Sequence, residues 1–177
     1  MSTNAGLEIE RKFHLRTAPP PEVLAVHGAV SVRLEQVYLG GDGDPVRLRR
    51  IEQVSGVEYR RTRKHRVGPF TFEEHEEPVD AAAWEAGLAL ADPHRRPIRK
   101  VRHVVPHGSQ RLEIDVFEEP PGLVVLEVEL RDEGEQVALP AWIGEWREVT
   151  GDARYFNASL ARLEAMVPAW PGDESQG

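Results

Sequence analysis

The sequence predicts an all-β-dominated (α+β) fold: a closed eight-stranded antiparallel β-barrel with a few flanking helices. Three observations lead there. Eight segments alternate with the period of two that half-buried strands show. Gly, Pro, Asp and Ser signals separate most of them by only a few residues, too few for parallel crossovers. Eight antiparallel strands can also close on themselves, which removes exposed edges. The 177 residues suit one domain over 7–167, with a disordered stretch at 1–6 and a loose tail at 168–177.

The elements follow in order. Leu7 to Leu15 alternates and forms the first strand. Thr17 and the prolines after it open a short helix ending near Val26. Val30–Leu39 is a strand rich in Val, Leu and Tyr, and residues 40–44 make a turn. Val46–Val54 and Val57–Val67 form a hairpin about Ser55-Gly56. Phe70–Val79 is the fifth strand, and Asp80 caps a helix over Ala81–Leu90. Ile98–Val105, Gln110–Phe117 and Leu123–Arg131 complete the eight. Leu139–Trp146 reads as a short helix. Residues Ala153 to Met166 read as a last one, with Phe156, Leu160, Leu163 and Val167 as its apolar stripe.

Composition narrows function. The chain has no cysteine, which excludes disulfides, Cys-zinc sites and a thiol nucleophile. It has neither a membrane-length apolar run nor a signal peptide, so a cytoplasmic protein with no membrane partner is expected. A net charge of −8 disfavours coating of nucleic acid. Of the 22 basic residues only Lys12, Lys64 and Lys100 are lysines.

Those lysines fall in a pattern. Residues two apart on a strand share a face, about 6–7 Å from each other. The first strand so presents Glu8, Glu10 and Lys12, and the third Arg47 and Arg49. The fourth presents Thr62 and Lys64, with Arg60 or Arg61 beside them. The fifth presents Glu74 and Glu76, or Glu73 in the alternative register. The sixth gives Lys100 and Arg102, the seventh Glu113 and Asp115, and the eighth Glu127 and Glu129. Any solvated sheet has a polar face. Same-sign pairs two apart, however, repel, and their repetition points to opposite charge held between them. Carboxylates without Cys or His partners suit Mg2+ or Mn2+, and clustered Arg and Lys suit phosphate. An interior of both signs describes a pocket for a polyphosphate with its metal. No P-loop and no nucleophile elbow is present.

Glu8-Ile-Glu10-Arg-Lys12 resembles the ExExK signature of the CYTH superfamily, the triphosphate tunnel metalloenzymes. Arg47-Leu-Arg49, Thr62-Arg-Lys64, Lys100-Val-Arg102, Glu113-Ile-Asp115 and Glu127-Val-Glu129 resemble its later strands in order, and residues 149–157 its C-terminal segment. The resemblance implies an eight-stranded tunnel and a metal-dependent triphosphatase similar to bacterial inorganic triphosphatases. It also implies a small-molecule triphosphate as partner, probed by a monomer or homodimer, and two bound ions. Glu8, Glu10, Glu127 and Glu129 would hold metal, assisted by Glu74, Glu76 and Asp115. Lys12, Arg47, Arg49, Lys64, Lys100, Arg102 and Arg154 would hold phosphate. Glu10, Lys64 and Arg102 would serve the chemistry. A class IV adenylate cyclase and a non-catalytic polyphosphate or nucleotide sensor are the alternatives. Arg95-Arg96 is expected in a solvated loop, and the Asn157-Ala-Ser159 sequon carries no meaning inside a helix.

Overall fold

The computed structural model describes residues 4–41 and 43–170. The strands are β1 (Asn4–Leu15), β2 (Val30–Tyr38), β3 (Val46–Gln53), β4 (Gly56–Arg66), β5 (Thr71–Val79), β6 (Ile98–His107), β7 (Gln110–Glu119), β8 (Val124–Leu130) and β9 (Trp146–Glu148). The helices are α1 (Pro21–Val26), α2 (Ala81–Leu88) and α3 (Asn157–Leu160). The strand order is β5-β4-β3-β2-β6-β7-β8-β1-β9, and β1 also pairs with β5. Eight antiparallel strands therefore close into a barrel, with β9 as an extra strand on the end of β1. No helix among the described residues is long and apolar enough to cross a membrane.

The barrel wall is amphipathic, and the sense is unusual: much of the apolar face points outward. Phe13, Leu15, Leu112, Ile114, Leu126 and Val128 pack outside the wall beneath Leu24 of α1 and Ile143. A second cluster plugs one end of the interior. Tyr38, Ile98, Phe117 and Val125 meet Tyr155 and Leu160 there. The remaining interior is left to charge. Helix α2 begins as its sequence dictates, with Asp80 accepting from the Ala83 amide at 2.8 Å. Its Trp84 packs with Val37 and Leu48 against the outside of the barrel.

Several boundaries move. β1 starts at Asn4 rather than Leu7, because Asn4 to Gly6 pair with Glu76 to Glu74 of β5. The stretch predicted as disordered thus contains strand; residues 1–3 lie outside the described residues, as does Asp42 of the 40–44 turn. The β3–β4 hairpin turns on Val54-Ser55, since Gln53 already faces Gly56.

Both predicted C-terminal helices are corrected. Only Ala141–Ile143 makes a single 3-10 turn, and Gly144 at φ 81° ends it. Trp146 then joins β9, where the end of β1 offers a free edge. The segment after Asp152 forms a 3-10 turn, Ala153–Tyr155, and the one-turn α3. Phe156 between them is extended, at φ −74° and ψ 134°. Leu163 is exposed and breaks the expected stripe, although Leu160 is buried and Val167 still packs against the same cluster.

Arg95 and Arg96 explain why, and they are not a solvated loop. Arg96 donates to the carbonyls of Arg162 and Ala165, each at 2.9 Å, and Arg95 to that of Ala158. The Leu163 amide bonds to the His94 carbonyl at 3.1 Å. These bonds take carbonyls that a helix would use. In the predicted tail, Trp170 is buried and packs edge-on against His14 at 5.2 Å. Residues 171–177 lie outside the described residues.

Candidate active site

Antiparallel register brings the charged faces together. Lys12 lies opposite Glu127 and Glu10 opposite Glu129. Arg102 faces Asp115, and Lys64 and Thr62 face Glu74 and Glu76. The fifth-strand register is thereby settled: Glu73 pairs with His65 on the other face. Arg60 shares the inner face with Thr62 and Lys64, whereas Arg61 reaches Glu77 at 3.7 Å on the outside. The result is an interior cavity of about 260 Å³. It is lined by Glu8, Glu10, Lys12, Arg47, Arg49, Lys64, Glu74, Glu76, Arg102, Arg111, Glu113, Glu127, Glu129 and Asn157.

The cations in it differ in how well they are matched. Burial works against the charge of Lys12, but Glu10 and Glu127 outweigh it and hold this ammonium above the ordinary lysine value. Its Nζ sits 3.1 Å from Glu10 and bonds to Glu127. Lys64 lies 2.5 Å from Glu8, 3.5 Å from Glu10 and 3.9 Å from Glu74. Arg102 bonds to Glu113, Asp115 and Glu127. Arg49 is the exception. Burial and then its neighbours Arg47 and Arg102 push it down to about 10, and Glu76 at 3.9 Å only partly compensates. The buried Nε atoms of Arg47 and Arg49 have no hydrogen-bond partner in the protein. Unmatched buried donors are costly, and two in one cavity describe a place shaped for an anion.

The opposite wall is acidic. Burial, then Glu8 and Glu113, raise the Glu129 carboxyl above its ordinary value. No Lys or Arg among the described residues pairs with Glu129. A hard carboxylate left unpaired among other acids has the donor chemistry of a Mg2+ or Mn2+ site. Among the described residues, no three carboxylates or histidines are already drawn into a metal-binding group.

Three predicted site residues fall outside the cavity. Lys100 and Asp115 are fully buried behind it, 2.5 Å apart. Asp115 gives one oxygen to Lys100 and Arg102 Nη2 and the other to Arg102 Nε, so both oxygens are engaged within the protein. Burial pushes Lys100 down to about 8, and its remaining contact is Asn157 Oδ1 at 3.3 Å. Its ammonium contacts are thus to Asp115 and Asn157, and it does not line the cavity. The reason is position: this pair sits at the plugged end, with Lys100 Nζ 5.0 Å from the Phe117 ring centre. Arg154 turns to Asp152 at 2.8 Å on the surface.

The cavity also contains residues to which the sequence reading gave no role in the site. Arg111 continues the face of Glu113 and Asp115 by the same two-residue step, which was the available signal. Asn157 reaches the cavity although its segment reads as helix. Gln36 lies fully buried on the inner face of β2 with neither amide atom partnered. A lone Gln in an apolar strand was the only hint of it.

Comparison with known proteins follows the same line. No family model matches the chain. A segment of 66 residues, 37% of the chain, is 44% identical to an inorganic triphosphatase of Acetivibrio thermocellus. The match spans 41% of that relative's length. Among solved structures, the inorganic triphosphatase NE1496 is 31% identical with a TM-score of 0.58, over 87% of this chain and 93% of that one. The PH1012 protein of Pyrococcus horikoshii, at 22% identity, shares the fold alone. Its TM-score is 0.52, over 72% of this chain and 80% of that one.

Proposed function

The chain belongs to the CYTH superfamily of triphosphate tunnel proteins, and from that premise we propose that it is a divalent-metal-dependent triphosphatase. The reaction is hydrolysis of inorganic tripolyphosphate, or a related triphosphate, to pyrophosphate and phosphate. One observation carries this reading: buried Nε donors of Arg47 and Arg49 that have no partner in the protein share one cavity with Glu129, a carboxylate that no Lys or Arg among the described residues pairs.

The roles divide by charge. Arg47 and Arg49 have unused donors and bind phosphate oxygens. Lys12, Lys64 and Arg102 border the same space and complete the cradle. Glu8, Glu10, Glu127 and Glu129 would hold the metal, with Glu74 and Glu76 across the tunnel. Mg2+ or Mn2+ bound there would neutralise phosphate charge and acidify a water ligand. A water oxygen attacks the terminal phosphorus in line, the bridging P–O bond breaks, and pyrophosphate leaves with the bridging oxygen. Lys64 and Arg102 stabilise the charge that develops on it. Glu10 lies close to both Lys12 and Lys64 and aims those ammonium groups. The protein acts as a monomer or homodimer on a small molecule in the cytoplasm.

The test is phosphate release from tripolyphosphate with Mg2+ or Mn2+. Turnover is expected with at least one metal, and none with either sinks the proposal. Removing one preorganised charge contact of this kind costs about 10²–10³ in kcat. Glu10→Gln and Lys12→Ala should fall in that range, and wild-type rates in both would remove the site from the tunnel.

A further inference from the structure

Gln36 is a buried polar side chain to which the hydrolysis described above gives no task. Its exposure is 0%, and neither amide atom has a hydrogen-bond partner in the protein. An amide buried unpaired is costly, and such a group calls for a physical reason.

Its surroundings narrow that reason. On β2 it shares the inner face with Leu34 and Tyr38, two residues away on either side. Across the sheet it lies opposite Ile98 of β6 and Arg49 of β3. Of these four only Arg49 carries a charge. Directly opposed residues have Cβ atoms about 4.5–5.5 Å apart, within reach of two long side chains. Arg49 has the matching deficit. Its Nε is buried and unpartnered, while the side chain keeps 17% exposure and lines the cavity. Its Nη1 stands 3.9 Å from Glu76, beyond hydrogen-bond range. An anion in the cavity therefore meets the Nη end of this guanidinium and leaves the buried Nε to the wall. Arg49 Nε is a donor without an acceptor, and Gln36 Oε1 is an acceptor without a donor. Arg47 is placed differently: it lies opposite Tyr38, and its Nη2 already donates to Thr62 Oγ1 at 3.3 Å.

We infer that Gln36 is a positioning residue for the phosphate chain: its Oε1 accepts from Arg49 Nε when the Nη end of Arg49 takes hold of phosphate. The inference rests on the triphosphatase reading above only in that a triphosphate occupies the cavity. A guanidinium grips phosphate through a planar fork, and an acceptor on Nε fixes the plane of that fork. The same bond favours the charged form of a guanidinium that burial, Arg47 and Arg102 push down to about 10. Hydrogen bonds of a reaction site are often long in the free protein and tighten in the complex. A hydrogen bond to a charged group corresponds to roughly 10- to 150-fold in affinity.

The experiment measures tripolyphosphate affinity by calorimetry in EDTA, and kcat and KM with Mg2+ or Mn2+. The variants Gln36→Leu and Gln36→Met replace the amide by apolar groups of similar size. Each should bind tripolyphosphate roughly 10- to 150-fold more weakly and raise KM to match, with kcat held within about twofold. The melting temperature should hold or rise, because unpartnered buried polar atoms are removed. In an Arg49→Ala background the same substitutions should add no further loss, since the contact acts through Arg49. In the unsubstituted protein the Arg49 Nε–H proton, identified by its loss in Arg49→Lys, should move downfield in NMR spectra when tripolyphosphate binds. Unchanged affinity in both variants, equal losses with and without Arg49, or an Nε–H proton indifferent to tripolyphosphate overturns the inference. A lower melting temperature at unchanged affinity assigns Gln36 to structure alone and overturns it too. Binding of tripolyphosphate without turnover sinks the triphosphatase reading and leaves this inference standing, whereas absence of binding sinks both.

Discussion

Asp115→Asn is the sharpest test of the buried ion pair. The change keeps the side chain's size and removes its charge. Lys100, with no side-chain exposure, is then left with no charged hydrogen-bond partner, only the neutral Asn157 oxygen at 3.3 Å and the Phe117 ring at 5.0 Å. Breaking a buried pair by removing one partner costs about 3–5 kcal/mol. A second route reaches the same size. Without Asp115 the ammonium does best to lose its proton, and neutralising a lysine at pH 7 costs about 5 kcal/mol at 1.36 kcal/mol per pH unit. Urea unfolding followed by tryptophan fluorescence at pH 7 reads the loss. The pH dependence adds a signature. Burial already pushes Lys100 down to about 8 in the wild type. In the variant it falls further, so the unfolded chain binds the extra proton at neutral pH and stability rises with pH there. The wild type gains in that way only above about pH 8. The deficit should therefore shrink between about pH 6 and 8, by up to ~1.4 kcal/mol per unit, and level off above. The double variant Lys100→Met/Asp115→Asn should recover part of it. A loss below about 1 kcal/mol, or a deficit flat in pH, would refute the reasoning.

Other outcomes follow from packing and titration. Gly87→Ala gains helix propensity of about 1 kcal/mol, but the new methyl drives into the Leu48 side chain; a net loss of about 1–3 kcal/mol in thermal or urea unfolding is expected. Arg96→Ala strips donors from the Arg162 and Ala165 carbonyls, so amide exchange over 157–165 should accelerate well beyond that of the barrel strands. Asp115 sits below the ordinary carboxylate range: burial opposes its charge, but Arg102 and Lys100 outweigh it. A depressed carboxyl gives stability that is present above its unfolded value and lost as pH falls through the folded one. Unfolding free energy should accordingly drop below about pH 4, and an acid limb unchanged in Asp115→Asn would contradict this.

Much of the barrel and its lining was legible because period two leaves little freedom. Once Glu8, Glu10 and Lys12 share a face, Phe13 and Leu15 must take the other. Legibility failed where that logic is silent. In Glu73-Glu74-His75-Glu76-Glu77 both faces carry acids, and only the pairing of Glu74 with Lys64 decides between them. Lys100 and Arg102 are equivalent in pattern, yet one is entombed and the other lines the cavity. Depth along the barrel axis depends on which end Tyr155 and Leu160 plug, and alternation carries no information about that. The C-terminal stripe had the right helical spacing. Bonds from Arg95 and Arg96, some 60 residues earlier in the chain, overrode it.

The threefold pairing of β1 has a consequence for how the protein comes into being. Lys12 meets Glu127 across 115 residues of chain, and the other end of the same strand meets β5. Non-local pairings of this kind are slow, because loop-closure entropy is spent before the contact returns anything. The final seam therefore closes over Arg47, Arg49 and Arg102, whose mutual repulsion resists it. A polyanion present during refolding should act as a template that relieves this repulsion, so refolding should be faster in its presence.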